Sequence, residues 1–318
     1  MQDFVHLHVH TQYSILDGQA SVSRLVDKAM KDGMRGMAIT DHGNMHGAYE
    51  MYTNCVANGV KPIIGIEAYV TPETARQDKS RVHWGTEAQR RDDVSGGGLI
   101  THLTMWAEND EGLVNLIKAA SVANREGRVM RYPRMDKEVL ATYSKGVIAS
   151  SGCPSGIIQT RLRLGQFDEA LRAAGEFQDI FGKDNFFIEL MDHGLPIETQ
   201  VTGDLLTIAK KLNAPLLATN DSHYVHAEDA RAQDAMLCIN SGSRLDDPDR
   251  FKFDGTGYYI KTAEEMRELF KDHPDACDNT LAIAERCNVM FDDHEDGAFM
   301  PKFPCPEGWD ETSLFLKK

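Results

Sequence analysis

The chain begins with three histidines that alternate with apolar residues, in the stretch Phe4-Val5-His6-Leu7-His8-Val9-His10-Thr11. Successive side chains of a β-strand point to opposite faces, so this pattern predicts a strand over residues 4–9 with the imidazoles on one face and the valines and leucine on the other. Three adjacent imidazoles make a poor core, but neutral imidazole is the commonest metal ligand in proteins. The pattern therefore predicts a strand that carries part of a metal site; the plainer alternative is a strand with exposed or hydrogen-bonded histidines.

Length and composition suit one large domain or two ordinary ones. With 318 residues, 42% of them hydrophobic, the chain can bury a sizeable core, and an α/β barrel of this length is ordinary. No apolar run reaches the length of a membrane span and the first residues do not look like a signal peptide, so we expect a cytoplasmic protein without a membrane partner. The six cysteines form no C-x-x-C pair, which agrees with free thiols in a reducing compartment.

The formal net charge of −15 argues against a domain that grips nucleic acid with its own surface, since that usually needs a basic stripe. Two circumstances would weaken this objection. Divalent cations bound in a site would cancel part of the negative charge. Basic surface could also lie on a part of the protein outside this chain.

Short apolar, β-forming runs alternate with helical patterns along most of the chain. The predicted strands cover residues 4–9, 36–40, 62–70, 99–106, 145–150, 185–191 and 215–219. The predicted helices cover residues 21–32, 44–58, 110–126, 155–181 with a break near Gly165, 197–213, 226–240, 262–272 and 274–288. This alternation predicts an α/β fold with parallel strands and helical crossovers, either a barrel or a doubly wound sheet.

Two stretches depart from the alternation. Residues 71–98 are polar and close with Gly96-Gly97-Gly98, which predicts a long exposed loop. Within it, Arg90-Arg91 is either a contact for a phosphate backbone or, as is more usual for such pairs, solvated surface. Residues 289–318 are rich in proline and phenylalanine, which predicts an extended connector after a domain that spans residues 1–288.

Residue types that bind metals recur near the carboxyl ends of the predicted strands. In chain order they are His8 and His10 with Asp17 beyond them, His42 after Asp41, Glu67, His102, Cys153, and Asp221 with His223. In an α/β barrel, the loops at the carboxyl ends of the strands build the active site. Groups that are more than 200 positions apart in the sequence are therefore expected to converge in space.

Taken singly, two of these residues have plainer interpretations. Asp17 lies in Leu16-Asp17-Gly18, which is a good turn sequence. Cys153 alone would most often be a buried thiol. Its surroundings, Gly152-Cys153-Pro154-Ser155-Gly156, do not match the nucleophile elbow of acyl-transfer enzymes, so we set that chemistry aside.

Four neighbouring residues are assigned lesser roles. His46 follows His42 by one helical turn and could face the same metal, but we favour His42 alone. His6 and Asp41 are expected to orient ligands from behind them. His193 follows the one predicted strand without a ligand and is a candidate for substrate contact.

The segments HLHVHT, ITDHGN, GIEAY, THLT, SSGCPSG and ATNDSHY resemble the polymerase-and-histidinol-phosphatase (PHP) domain, in particular the one at the amino end of bacterial replicative DNA polymerase III alpha subunits. The resemblance covers about residues 3–240 and implies a distorted seven-stranded (β/α)7 barrel with a metal site at the C-terminal ends of the strands. Carried over motif by motif, the metal ligands are His8, His10, Asp17, His42, Glu67, His102, Cys153, Asp221 and His223. Many alpha subunits have lost several of these positions and keep the domain as a scaffold, but all nine residues here are able to bind metal.

The resemblance further implies a cluster of three divalent ions. By the family's arrangement, one ion would be held by His8, His10, Glu67 and Asp221, the second by Glu67, His102 and Cys153, and the third by Asp17, His42 and His223. Mixed imidazole, carboxylate and thiolate ligands suit Zn²⁺, with Mn²⁺ or Fe²⁺ as alternatives, and the single cysteine favours zinc.

Such a site implies metal-assisted hydrolysis of a phosphoester, because a divalent cation lowers the pKa of bound water from about 15.7 toward roughly 7. On a polymerase the resemblance implies a proofreading 3′→5′ exonuclease with Asp17, Glu67 and Asp221 as catalytic carboxylates. Its expected partners are a DNA primer 3′ end, the polymerase domains of the same polypeptide, and the replisome with its sliding clamp through regions outside this chain. Two alternatives stay open: a small-molecule phosphatase of the histidinol-phosphate type, and a structural module that uses metal only to fold.

Overall fold

The computed structural model describes residues 3–15, 17–89, 96–291 and 303–317. The strands in these ranges are β1 Gly36–Ile39, β2 Lys61–Val70, β3 Thr101–Ala107, β4 Arg134–Met135, β5 Val147–Ser150, β6 Phe186–Leu190 and β7 Leu216–Ala218. The α-helices are α1 Val22–Lys31, α2 Ala48–Ala57, α3 Asp110–Glu126, α4 Lys137–Thr142, α5 Ile157–Arg163, α6 Phe167–Phe181, α7 Pro196–Leu212, α8 Ala230–Ser241, α9 Ala263–Leu269, α10 Pro274–Arg286 and α11 Glu311–Leu316. Single 3₁₀ turns cover Glu87–Gln89 and Ala227–Asp229.

The strands form a ring that is closed by the histidine-rich start of the chain. Hydrogen bonds join the strands in the order β1-β2-β3-β5-β6-β7, and β4 pairs with β2 outside this path. Residues 5–10, here termed the opening segment, lie between β1 and β7. On one side the amide of Ala38 donates to the carbonyl of His6 at 3.0 Å, and on the other the amide of Ser222 donates to the carbonyl of His8 at 3.0 Å. The fold is therefore a distorted (β/α)7 barrel, as predicted.

One strand of the ring runs against the others. β3 is antiparallel to both β2 and β5, so the prediction of parallel strands throughout is wrong at this point. In the described part of residues 71–100 there is no α-helix to carry the chain back across the barrel, and β3 starts at the edge where β2 ends. His102, near the start of β3, consequently lies at the edge that the other strands reach with their carboxyl ends.

Inside the ring, an apolar layer lies beneath a polar one. The apolar layer takes at least one side chain from every member of the ring and is closed by α10; it comprises Val5, Leu7, Ala38, Ile63, Trp106, Ile148, Phe187, Leu217, Ile283, Ala284 and Cys287. Because side chains two residues apart share a face, five strands place a buried polar residue directly above it, namely Thr40, Thr104, Ser150, Glu189 and Thr219. This switch from apolar to polar positions the site at one end of the barrel.

The opening segment breaks its own alternation. Val5 and Leu7 pack in the interior layer, whereas Val9 packs in the outer core between the ring and the helices. The prediction that these three side chains share one face is therefore wrong. The irregular backbone, which makes a single bridge between Val9 and Ser222 instead of a regular ladder, lets His8 follow Leu7 into the interior.

Most of the other predicted elements are confirmed within a few residues, including the helix break near Gly165 between α5 and α6. The sequence missed the short β4 and α4. It also predicted an extended connector over 289–318, where the structure has helix α11, started by the Asp310 side chain accepting from the amide of Ser313 at 2.6 Å. Arg90-Arg91 and residues 292–302 of the predicted connector lie outside the described residues. Among the described helices, none has both the length and the apolar character of a membrane span.

Trp106 ties the opening segment to the ring from inside. Its side chain is fully buried, and its indole N–H donates to the carbonyl of Leu7 at 2.7 Å. Gly65 makes room for it, because a Cβ there would lie 2.8 Å from the indole and 2.3 Å from the carbonyl oxygen of Met105.

We expect Trp106→Phe to lower the free energy of unfolding by about 2–4 kcal/mol, because it leaves a cavity and an unpaired carbonyl. Urea unfolding followed by circular dichroism in the presence of chelator measures this change. Trp309→Phe, at a partly exposed position in residues 303–317, is the matched control and is expected to change stability by less than about 0.5 kcal/mol. Equal effects of the two substitutions would contradict the role given to Trp106.

Candidate metal centre

The structure brings all nine predicted ligands together at one edge of the barrel. His8 and His10 come from the opening segment and Asp17 from the loop after it; the others lie on or just after β1, β2, β3, β5 and β7, and are His42, Glu67, His102, Cys153, Asp221 and His223. Residues distant in sequence thus converge as the strand-end argument predicts.

Glu67 lies at the centre of this set. Its Oε1 is 3.3 Å from His8 Nε2 and 3.1 Å from His102 Nδ1, and its Oε2 is 2.6 Å from His42 Nδ1 and 3.5 Å from His10 Nε2. The carboxylate is buried. One carboxylate with two oxygens facing different imidazoles has the arrangement of a bridging ligand.

Asp221 supplies a second carboxylate on the same side. Its Oδ1 is 3.1 Å from His10 Nε2 and 3.3 Å from His8 Nε2. The backbone of Asp221 has φ of 42°, which is uncommon for a residue other than glycine. Such strain persists only where the surroundings enforce it, and it clusters at functional sites. Here the amide of the next residue, Ser222, is held by the opening segment.

Asp17 faces the other two histidines. Its Oδ2 is 3.2 Å from His42 Nε2 and its Oδ1 is 3.4 Å from His223 Nε2. The Gln233 side chain on α8 donates to the backbone carbonyl of Asp17 and holds its loop in place. Asp17 is therefore more than the turn residue that its local sequence would allow.

The thiol of Cys153 completes the set. Its Sγ is 3.4 Å from His102 Nδ1, and the side chain is buried. Burial, together with the negative charges of Glu67 and Asp221, raises the pKa of the Cys153 thiol well above its usual value. An adjacent divalent cation reverses this effect, because a coordinating thiol is deprotonated.

The residues fit divalent cations by a direct test, the hydrogen bonding of their buried polar atoms. Seven buried atoms of the set make no hydrogen bond although each faces another ligand within 4 Å; they are His8 Nε2, His10 Nε2, Asp17 Oδ1, His42 Nδ1, Glu67 Oε2, Asp221 Oδ1 and His223 Nε2. An unsatisfied buried polar atom costs about 1–3 kcal/mol of folding free energy. A bound cation would remove this cost by coordinating these atoms.

Seven of the nine predicted ligands, all except Cys153 and Asp221, fall into three groups whose ligand atoms lie within 4.8 Å of one another. The groups are His10, Asp17, His42 and His223; His8, His10 and Glu67; and His42, Glu67 and His102. They overlap more than the family's arrangement implies, because His10 and His42 each belong to two groups.

Electrostatics keep the carboxylates charged and one key imidazole neutral. Burial alone would raise the pKa of Asp17, but the charges of His42 and His223 hold that pKa well below its usual value. Burial and the same two histidines lower the pKa of His10 to about 3. A neutral imidazole and an ionised carboxylate are the forms that bind metal.

A hydrogen-bonded chain fixes the orientation of His10. The hydroxyl of Ser14 lies 2.9 Å from His10 Nδ1 and donates to Asp41 at 3.0 Å. Asp41 also accepts from the backbone amide of Thr11 at 2.6 Å. Since Ser14 donates to Asp41, it accepts from His10 Nδ1–H, which leaves the Nε2 lone pair facing Glu67 and Asp221. Asp41 lies behind a ligand, as predicted.

Glu189, which was not among the predicted site residues, fixes the orientation of His8. It is buried above the apolar layer, and its Oε1 lies 2.8 Å from His8 Nδ1 and accepts from the Thr219 hydroxyl at 2.6 Å. Ser150 donates to its other oxygen. The sequence signal for this role is the single charged residue in the otherwise apolar strand Phe186–Leu190, because a buried carboxylate needs a partner.

Two other histidines, His6 and His193, have surroundings that differ from those expected, and a third, His46, lies at the surface. His6 bonds through Nε2 to the carbonyl of Lys261 at 2.8 Å instead of to a predicted ligand. His193 has both ring nitrogens engaged, one 2.6 Å from Glu198 and one 3.0 Å from a loop carbonyl, so it has no free nitrogen for substrate. His46 is exposed at the mouth of a cavity that reaches His42.

Comparison with known families identifies the class. The PHP domain matches residues 6–193, more than half of the chain. The chain therefore belongs to the PHP family.

Within that class, the chain is similar to part of a replicative polymerase subunit. It is 51% identical over 311 residues to DNA polymerase III subunit alpha of Mycobacterium tuberculosis (strain ATCC 25618 / H37Rv), covering 98% of this chain and 26% of that protein. It is 52% identical over 319 residues to the subunit of Saccharopolyspora erythraea, covering 98% of this chain and 26% of that protein. It is 39% identical over 317 residues to the subunit of Borreliella burgdorferi, covering 99% of this chain and 26% of that protein. The chain thus spans about a quarter of the length of these relatives.

Solved structures resemble the chain more distantly. An amidohydrolase from Chromobacterium violaceum aligns with 14% identity and a TM-score of 0.41, covering 69% of this chain and 87% of that one. A two-domain protein from Bacteroides vulgatus aligns with 13% identity and a TM-score of 0.38, covering 89% of this chain and 69% of that one. It is described as containing a predicted PHP-like metal-dependent phosphoesterase.

We expect Glu189→Gln to weaken metal binding about 10- to 100-fold, because a partner that orients a ligating histidine is typically worth that much. Titration of chelator-treated protein with Zn²⁺ against a chromogenic competitor measures the affinity. Glu268→Gln, at an exposed position on α9, is the matched control. A Zn²⁺ affinity equal to that of the parent in a folded Glu189→Gln variant would contradict the role of Glu189 in orienting His8.

Proposed function

We propose that this chain is the metal-dependent 3′→5′ exonuclease domain of a DNA polymerase III alpha subunit and hydrolyses phosphodiester bonds at a primer 3′ end. The observation that carries the proposal is the set of seven buried ligand atoms without a hydrogen-bond partner that converge at the strand ends. The 51% identity to part of a polymerase subunit supports the choice of DNA as substrate. The further polymerase domains and, through them, the sliding clamp and replisome are the proposed partners, in the cytoplasm.

In this proposal the nine residues hold three divalent ions, Zn²⁺ in the first place and Mn²⁺ or Fe²⁺ as alternatives. When bound, such ions supply hydroxide at neutral pH and neutralise charge on the phosphoryl oxygens. The domain extends over residues 1–288, and residues 289–318 connect it to the polymerase region.

The chain's own residues prepare the site for this chemistry. The carboxylates of Asp17, Glu67 and Asp221 stay ionised, because the charges of the surrounding histidines outweigh their burial. Both oxygens of Glu67 face imidazoles, so this carboxylate would help to hold more than one ion. His8, His10 and Glu67 are buried, and the exclusion of bulk water strengthens the electrostatic interactions among them.

The first expected outcome concerns metal content. Nine convergent ligands predict about three divalent ions per chain by ligand count. Elemental analysis of protein purified without chelator measures the number. A content near zero in catalytically active protein would contradict the cluster.

The second expected outcome concerns the substrate. A mismatched primer should be shortened faster than a paired one, because an unpaired end is already unstacked and costs a few kcal/mol less to extract. A gel assay with 5′-labelled primers at low salt measures both rates; histidinol phosphate is expected to be a poor substrate under the same conditions.

Asp17→Asn keeps the size of the side chain but removes its charge, and we expect it to slow primer digestion more than about tenfold. Asp179→Asn, at an exposed position on α6, is the matched control. Efficient hydrolysis of small phosphomonoesters with DNA left intact would favour the phosphatase alternative. Loss of folding on metal removal, with no hydrolysis of either substrate, would favour the structural module.

A further inference from the structure

An open cavity of about 440 Å³ reaches the metal centre. Asp17 and His42 line it together with Tyr13, Tyr69, Arg128 and Arg131. The cavity is therefore a path by which a phosphoester reaches the metal ligands. Its lining includes two arginines, Arg128 and Arg131, in a chain whose formal net charge is −15.

The two arginines flank a tight turn, residues 128–132, here termed the arginine turn. Val129 and Tyr132 pair through two backbone hydrogen bonds of 3.0 and 2.9 Å. Met130 at the tip has φ of 53° and is 72% exposed. A bulky residue in this conformation is uncommon, and backbone strain of this kind clusters at functional sites.

Neither arginine of the turn has a carboxylate partner among the described residues. Arg128 Nε donates to the carbonyl of Met130 at 3.3 Å, and Arg131 Nη1 donates to the side-chain oxygen of Asn240 at 2.7 Å. Both side chains are exposed. By contrast, Arg125 on the same stretch of chain is paired with Glu126. The arginine turn thus offers two exposed guanidinium groups without an ion-pair partner among the described residues, in the wall of the cavity that reaches the metal centre.

The base of the arginine turn is held rigidly. Arg134 is fully buried and donates to the carbonyls of Gly127, Leu99, Arg76 and Asp78 at 3.0, 3.3, 2.9 and 2.7 Å. These bonds join the turn to the loop before β3. A ligand held by the turn would therefore meet a pre-organised surface, which lowers the entropic cost of binding.

Glycine in the metal-ligand loop brings that loop against the turn. Gly43 follows the ligand His42 and has φ of 64°; a Cβ there would lie 2.7 Å from the ring of Tyr69 and 3.2 Å from Pro133. The chain after the arginine turn thus packs directly on the loop that carries His42. The spacing between turn and metal centre is fixed by this contact.

We propose that Arg128 and Arg131 bind backbone phosphates of a single-stranded DNA end whose terminal phosphodiester lies at the metal centre. Guanidinium groups match phosphate oxygens in charge and in fork geometry. A small phosphomonoester carries one phosphate, which the metal ligands would take, whereas a strand carries further phosphates along the cavity. This inference rests on the proposed function and assigns its substrate contacts.

The test compares the double variant Arg128→Gln/Arg131→Gln with the parent and with Arg125→Gln, which removes the same kind of charge three residues before the turn. One substrate is a 5′-labelled single-stranded oligonucleotide, and the other is bis(p-nitrophenyl) phosphate, a diester without further phosphates. For the oligonucleotide, we expect KM to rise about tenfold or more in the double variant, as for the loss of charged hydrogen bonds. Hydrolysis of the small diester and all properties of Arg125→Gln are expected to match the parent.

Direct binding separates the inference from the proposed function. Fluorescence anisotropy with the same oligonucleotide in EDTA requires no catalysis. The slope of log affinity against log salt is expected to become shallower by about 1.4 in the double variant, since each phosphate contact on single-stranded DNA contributes about 0.7. Unchanged circular dichroism establishes that the variants are folded.

The outcomes are distinct. If the parent cleaves DNA but the double variant binds and cleaves like the parent, the inference is overturned and the proposed function stands. If the parent binds DNA through the arginines but does not cleave it, the binding inference stands and the exonuclease proposal fails. If the parent does not bind the oligonucleotide at low salt, the inference is overturned.

Discussion

The structure depends on one buried carboxylate, Glu67, facing four imidazoles. Burial alone would raise its pKa, but the charges of His102, His42 and His8 hold that pKa well below its usual value. A buried charge is tolerated only when it is paired or binds metal, so the residues around Glu67 cannot be changed independently. Its place on β2, four residues after the apolar Ile63 on the same face, connects the site directly to the barrel interior.

The barrel makes this arrangement possible by changing character from one layer to the next. A period of two puts polar side chains above the apolar layer on five strands. The opening segment has to fit both layers, since Leu7 fills the interior and His8 reaches Glu67. A regular strand would turn one of these adjacent side chains outward. The irregular backbone is thus a requirement of the site, and Trp106, bonded to the carbonyl of Leu7, holds it in position.

Much of this was predictable from residue types at strand ends, and the resemblance of the motifs supplied the ligand set. What the sequence could not show depends on long-range geometry. The antiparallel direction of β3 follows from a connection whose path has no sequence pattern. In the sequence Glu189 is an ordinary charged residue, and its role is evident only from the fold, which places His8 Nδ1 2.8 Å from its carboxylate. Ser14, a commonplace loop residue, gains its role only because Asp41 and His10 meet on either side of it.

The net charge illustrates the same limit in another way. Summed over the chain, −15 argues against a nucleic-acid surface, but the sum includes the carboxylates at the metal centre and those already paired with arginines. A phosphate approaching the cavity experiences the local electrostatic field of the arginine turn and of any cations held by the ligands. Charges beyond a Debye length of about 8 Å are largely screened at physiological salt. An acidic protein can therefore present an anion-attracting path at one place. For this reason composition constrains the binding of long duplexes more strongly than the binding of a single strand end.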